Sequence, residues 1–262
     1  MGGSGSRVAV LTGVATPTPV RHAPETGSTS VDARTAFERE GVRGPLWFTA
    51  DLQTAGTGRR GRSWVHHPGN FAGTLLLPVE RDQLRHAPVF AFIAALGVAE
   101  AVTDAGATAS EVMVKWPNDV LLRGRKLAGI LSELLTAGAE HAISIGIGVN
   151  LTAAPGEDVA TAISLAGASD RSPPDPVIFR ESLDRALVTW WQRFRDEGFA
   201  PVREAWLARA AGLGGPITVR LHDQTREGIF AGIDEDGALL LGLPGGTERV
   251  TAADVFLGPG RV

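Results

Sequence analysis

The chain has 262 residues, a net charge of −4, 44% hydrophobic residues and 21% charged residues. That is enough for one substantial domain plus a small one, and it excludes a disordered, collagen-like or fibrous chain. With no cysteine, disulfides, thiolate zinc sites and cysteine nucleophiles are closed, and the acidic balance is the wrong sign for holding nucleic acid by counterion release.

In chain order, residues 1–18 read as a flexible leader rich in Gly, Ser, Thr and Pro, with one short apolar stretch suited to a strand and no signal-peptide pattern. No apolar run has the length of a membrane span, so the expectation is a cytoplasmic protein with no membrane partner. A helix is expected over residues 25–40, where Thr29 and Asp32 have capping-box spacing. Strands are expected at 47–52 and 73–79. Val89, Phe92, Ile93, Leu96, Val98 and Val102 then repeat at helical spacing and predict a buried helix over 88–105.

Runs at 111–116, 119–122, 126–135 and 141–151, separated by turn residues, predict a central sheet of mostly antiparallel hairpins. Helices at 175–199 and 201–211 follow. A glycine-rich joint at 212–216 leads to short strands at 217–221, 227–233, 238–243 and 248–250, with turns at Asp236-Gly237 and Gly245-Gly246, a small β-barrel or sandwich. The fold class is therefore α+β, with a main domain over 19–211 and a small β domain over 212–262.

The basic residues carry the first chemical signal. Lys115 and Lys126 are the only two lysines among 25 basic residues, and both fall in one segment that also contains Trp116, Pro117, Asn118 and Asp119. A chain that has otherwise turned to arginine keeps lysine where a compact ammonium on a flexible stem is needed. Lys126 precedes a strand-like run in which Gly129 leaves room for a ligand to approach. Asn118-Asp119 is a turn signal, and Asp119 also suits a magnesium ion held through one carboxylate plus phosphates.

Gly56-Thr57-Gly58-Arg59-Arg60-Gly61 is a literal dinucleotide-binding glycine pattern, with Glu80 near the place of a ribose-binding acid. That pattern works only when a helix follows, and Pro68 and Gly69 stand where the first turns should be. What remains is a glycine loop carrying Arg59, Arg60 and Arg62, whose guanidinium forks can chelate phosphate, with Gln53 and Trp64 as bonding and stacking neighbours. A solvated charged turn is the plainer alternative. Ser28 and Thr29 read as helix caps whose hydroxyls can also meet a polar ligand head. The six histidines lack zinc-protease spacing and read as structural or solvated, and neither a serine-hydrolase elbow nor a P-loop is present.

Taken together, Gly27-Ser28-Thr29-Ser30, the stretch from Gln53 to Trp64, Lys115-Trp116-Pro117-Asn118-Asp119-Val120, Gly124 to Leu131 and Gly146-Ile147-Gly148-Val149-Asn150-Leu151 resemble the biotin protein ligases, in the right order over about residues 25 to 257. The resemblance implies a class II synthetase-like catalytic domain and an SH3-like C-terminal barrel. It also implies ATP and biotin as substrates, magnesium as helper, and a biotin carboxyl carrier protein domain of a carboxylase as acceptor.

Carried onto matching positions, the resemblance gives Ser28, Thr29, Ser30, Gln53, Gly56, Thr57, Gly58 and Gly129 to biotin. Arg60, Arg62, Trp64, Lys115, Asn118 and Asn150 go to ATP or the adenylate, Lys126 and Arg59 to both ligands, Lys126, Arg59 and Arg62 to catalysis, and Asp119 to magnesium. Thr57 stands where many members have Arg, which implies looser retention of the intermediate. The Ser-Thr motif at residue 28 leaves no room for the DNA-binding domain of some members, so no nucleic-acid partner is expected. The alternatives are a lipoate or octanoate ligase of the same fold and a non-catalytic biotin-binding module. No sequence feature demands a dimer.

Overall fold

The computed structural model describes residues 17–156, 161–168, 172–221 and 224–258; most of the leader and His222 lie outside them. Seven strands, β1 (Val20–Thr26), β2 (Leu46–Gln53), β3 (Phe71–Val79), β4 (Val112–Lys115), β5 (Asp119–Leu122), β6 (Arg125–Ala137) and β7 (Glu140–Val149), form one sheet ordered β1-β2-β3-β7-β6-β5-β4. Every neighbouring pair is antiparallel except β1 with β2, as the hairpin reading of the central runs requires.

The helices are α1 (Thr29–Arg39), α2 (Val89–Asp104), the short α3 (Leu165–Ala168), α4 (Pro176–Glu197) and α5 (Phe199–Ala208). Strand alternation divides the core between the two sheet faces. Phe48, Leu76, Leu135 and Ala142 meet Ala33, Ala36 and Phe37 of α1 on one face. On the other, Leu75, Leu77, Ile143, Ile145 and Ile147 belong to the cluster of α2 and α4. Twelve of the 16 residues of α2 are buried, so it is covered on all sides, by the sheet on one and by α4 and α5 on the other.

At the N-terminal end two elements differ from expectation. The segment at 25–28 is the end of β1 and a turn rather than helix. β1 escapes the sequence reading because it is an edge strand whose residues are mostly exposed, so no apolar alternation marks it. The capping box is absent as well: Ser28 is the N-cap of α1 and makes no side-chain cap.

Gly212 and Gly214, both at positive φ of 79° and 74°, turn the chain from α5 into β8 (Pro216–Arg220), β9 (Thr225–Ile233), β10 (Leu239–Leu243), β11 (Gly246–Val250) and β12 (Asp254–Leu257). These form a five-stranded antiparallel sheet ordered β11-β10-β9-β8-β12, whose two margins do not pair with each other. β12 was not foreseen; it is four residues long with no turn signal of its own. The Asp236-Gly237 turn rests on the first domain: Trp116 Nε1 donates to the Gly237 carbonyl at 3.0 Å, and a Cβ on Gly237 would lie 2.6 Å from Phe92. Trp206 of α5 closes the junction, packed edge-on to Phe92 and Phe230.

Candidate functional site

A cleft opens on the α1 face of the sheet, where glycines replace the larger residues found elsewhere on that face. Gly129 of β6 and Gly146 and Gly148 of β7 hollow the surface beside the first turn of α1, leaving a cavity of about 210 Å³. A Cβ on Gly146 would stand 2.6 Å from the Ser30 hydroxyl.

One end of the cleft is neutral and polar. Gln53 Oε1 accepts from the backbone N–H of Thr29 at 2.8 Å and from its hydroxyl at 2.9 Å. Gln53 therefore does the capping that the sequence assigned to a local side chain, and it reaches α1 from β2. Thr74 Oγ1 lies 2.8 Å from the Thr29 hydroxyl and 3.1 Å from that of Ser30. Ser28, Thr29, Ser30 and Gln53 line this end, a fixed set of donors and acceptors suited to an uncharged polar head.

The other end is cationic. Lys126 Nζ lies 2.7 Å from Asp119 Oδ1, and Lys115 Nζ is 4.0 Å from Asp119 Oδ2. Burial pushes the Lys115 ammonium and the Arg59 guanidinium below their ordinary values, and in each case a nearby carboxylate partly opposes it. Four cations, Arg59, Arg62, Lys115 and Lys126, face the cleft against two carboxylates, Asp119 and Asp254. The surplus of positive charge suits a polyanion such as a nucleotide.

The glycine loop straps this end. Gly58 N–H donates to the Arg62 carbonyl at 2.7 Å and Trp64 N–H to the Gly56 carbonyl at 2.8 Å. Arg60 and Gly61 take left-handed φ of 56° and 71°, which reverses the chain. No helix follows, so the dinucleotide pattern has no helix end to work with. Arg59 reaches Asn118 Oδ1 at 3.3 Å, and Arg60 and Arg62 both donate to Asp254 on β12, at 3.1 and 2.8 Å. The indole of Trp64 lies over the sheet glycines, so part of the room read at Gly129 belongs to this ring: a Cβ on Gly129 would meet it at 3.0 Å.

Three residues named from sequence do not line the cleft. Gly56 lies under the strap, where a Cβ would be 2.8 Å from the Trp64 carbonyl. Arg60 is held by Asp254. Asn150 is buried behind β6, its amide donating to the Ile163 carbonyl at 3.2 Å, which gives it a bracing role here. Asp119 is occupied by the two lysines, and no cluster of three metal-ligating side chains exists among the described residues.

Sequence reasoning also passed over Thr74, Asp254, Val255 and Phe256. Only the last three line the cleft, and they arrive from the second sheet with no local motif. Among the histidines, His66 is buried at 7% exposure and touches the site through Gln53.

Residues 31–150 match the model of the biotin/lipoate A/B protein ligase family and residues 212–258 that of the biotin protein ligase C-terminal domain. The chain is 45% identical over 224 residues to the biotin–[acetyl-CoA-carboxylase] ligase of Paracoccus denitrificans, covering 83% of this chain and 92% of the relative. The chain belongs to the biotin protein ligase family. The ligase of the same description from Mycobacterium tuberculosis is 35% identical, covering 88% of this chain and 86% of its own. In fold, the biotin protein ligase from Aquifex aeolicus solved with biotin and ATP superimposes with a TM-score of 0.80 at 20% identity, over 92% of this chain and 99% of that one.

In this biotin protein ligase the strap is therefore anchored on the C-terminal sheet through one carboxylate. Asp254→Asn is expected to speed tryptic cleavage at Arg59, Arg60 and Arg62 about 2- to 10-fold in the absence of ligand, because two partly exposed ion pairs of about 0.2–1 kcal/mol each are weakened. Limited proteolysis followed by mass spectrometry checks this, and an unchanged rate would show that Asp254 does not hold the strap.

Proposed function

We propose that this biotin protein ligase is a cytoplasmic enzyme that activates biotin with ATP and transfers it to a lysine of a biotin carboxyl carrier protein domain of a carboxylase. The observation that carries the reading is one cleft with a neutral hydrogen-bonding end and a cationic end under an arginine strap. Those are the surfaces a biotin ring and an adenylate phosphate require. Residues 19–211 would hold both substrates, and residues 212–262 would close the cleft through Asp254.

In the first step a biotin carboxylate oxygen bonds to the α-phosphorus of ATP as the bond to pyrophosphate breaks, giving biotinyl-AMP. Two anions must approach, and the cations remove that repulsion. Ser28, Thr29, Ser30 and Gln53 hold the biotin head. Lys126 leaves Asp119 to bridge carboxylate and phosphate, Arg59 and Arg62 take phosphate oxygens, and Lys115, Asn118 and Trp64 complete the nucleotide side. Thr57 and Gly58 contribute the inner surface of the strap. Magnesium would neutralise phosphate charge when bound to ATP.

In the second step the acceptor ε-amine bonds to the acyl carbon, AMP leaves, and the amine proton passes to solvent. The mixed anhydride is sensitive to water, so a strap closed on both sheets protects it.

The test is ATP–pyrophosphate exchange with magnesium, with lipoate and octanoate as controls, followed by transfer to a carrier domain. Exchange with biotin alone is the expected result. Exchange with lipoate or octanoate in place of biotin would assign the protein to the sister activity, and binding of biotin without exchange would reduce it to a binding module.

A further inference from the structure

His66 follows the strap in the chain and lies behind the biotin end of the cleft, against the backbone of Gln53. Its Nδ1 is 3.0 Å from the backbone nitrogen of Gln53 and its Nε2 is 3.1 Å from the Asn70 carbonyl oxygen. A peptide N–H can only donate and a carbonyl can only accept, so the ring is neutral, with Nδ1 bare and the proton on Nε2. Pairing of β2 with β3 ends at Thr49, and His66 supplies the acceptor that the missing ladder leaves to Gln53. Gln53 in turn fixes Thr29 through two hydrogen bonds.

The far side of the ring is equally held. Asn70 Oδ1 accepts from the backbone N–H groups of Thr152 and Ala153 at 2.9 and 3.1 Å. A second proton on Nδ1 would set two donors against each other in a buried place and release the Gln53 backbone.

We propose that neutral His66 is a positioning residue for biotin, and that its protonation loosens the biotin end of the cleft and makes biotin affinity fall in acid. The inference rests on the biotin-ligase reading and assigns His66 a role that its sequence context did not suggest. The charged and titratable groups around the ring are Asp51 on β2, which favours the protonated form, and His67 beside it in the loop, which opposes it. Asp51 is itself engaged by His22 of β1 at 3.3 Å.

Burial, the largest influence, pushes His66 below its ordinary 6.5. The sign follows: the ring is neutral and the site formed above that value, and the competent fraction falls as pH drops through the lowered pKa. Apparent affinity is divided by that fraction.

The experiment is calorimetric titration of biotin, with parallel exchange kinetics, from pH 7.5 to 5.0. For the wild type, the dissociation constant and the KM for biotin should rise about 3- to 10-fold at the acid end, with a smaller change in kcat and in the KM for ATP. His66→Leu should bind biotin weakly at every pH with a flat profile. His66→Asn, whose oxygen can replace Nδ1 as acceptor without titrating, should recover most of the affinity that Leu loses and also show a flat profile. Unaltered biotin affinity in His66→Leu would overturn the positioning role, and an acid loss that persists in His66→Asn would overturn protonation of His66 as its cause, each leaving the ligase reading standing. Absence of biotin binding by the wild type at pH 7.5 would sink the ligase reading and this inference with it.

Discussion

Lys126→Ala is expected to reduce biotin-dependent pyrophosphate exchange by about 10²- to 10³-fold, the usual cost of removing one group that stabilises developing charge in a closed site. The Lys126 side chain is 38% exposed and the resting partner of its ammonium is Asp119 at 2.7 Å, so it is held at the cleft without being spent on the core. Its removal leaves Asp119 facing Lys115 alone, at 4.0 Å, and adds an uncompensated negative charge where a phosphate must approach. The loss should fall mainly on kcat.

The fold should barely respond, because a partly exposed ion pair contributes about 0–1 kcal/mol. Lys126→Arg should recover only part of the activity, since a planar guanidinium cannot occupy the point between carboxylate and phosphate that an ammonium fills. Single-turnover kinetics with a thermal melt decide the matter. A Lys126→Ala enzyme within a few-fold of wild type would remove this residue from the chemistry.

Gly148→Val should cost about 10²-fold in kcat/KM for adenylation through displacement of Trp64. A Cβ at position 148 would stand 2.7 Å from the indole Cζ2 and closer still to other ring atoms, and the ring cannot yield without lifting one stem of the arginine strap. Trp64 is tied to Gly56 through its own N–H and lies 5.7 Å under the Lys126 ammonium. Moving it therefore disturbs strap and lysine together, a misplacement of the kind that costs about 10²-fold.

β7 itself should tolerate valine, which favours strands. Gly146→Ala is the control: its Cβ would crowd the Ser30 hydroxyl, a side-chain end that can rotate aside, and otherwise lie in ordinary contact with the Leu131 carbonyl and Thr74 hydroxyl at 3.6 Å, so it should lose far less. Tryptophan fluorescence together with exchange kinetics reports both effects. Full activity in Gly148→Val would show that the position of Trp64 is immaterial.

The sequence disclosed those parts of the site whose chemistry is local. Arg59, Arg60 and Arg62 lie on one loop that must use glycine to turn, and a composition nearly emptied of lysine singled out Lys115 and Lys126. Two sheets, four helices and the glycine joint were legible because apolar spacing records burial directly. β1 was not, since an exposed edge strand carries no such record.

Other roles required distance in the chain to vanish. The hydroxyl of Thr29 looked like a cap, yet its partner is Gln53, 24 residues away. Asp254 showed no motif, and it joins Arg60 and Arg62 across more than 190 residues. His66 passed as a structural histidine until Gln53 was placed against its bare nitrogen.

The sequence by itself determined which side chains are available, an arginine strap, two lysines and a hydroxyl cluster, and the α+β order that carries them. Only the tertiary structure decided their partners: Asp119 for the lysines, Asp254 for the arginines, Gln53 for α1 and Trp64 for the sheet glycines. The reason is physical. Helix and strand propensity and apolar period act over a few residues, whereas the partner of a charge or a hydrogen-bonding group is whatever folding brings within about 3 Å of it.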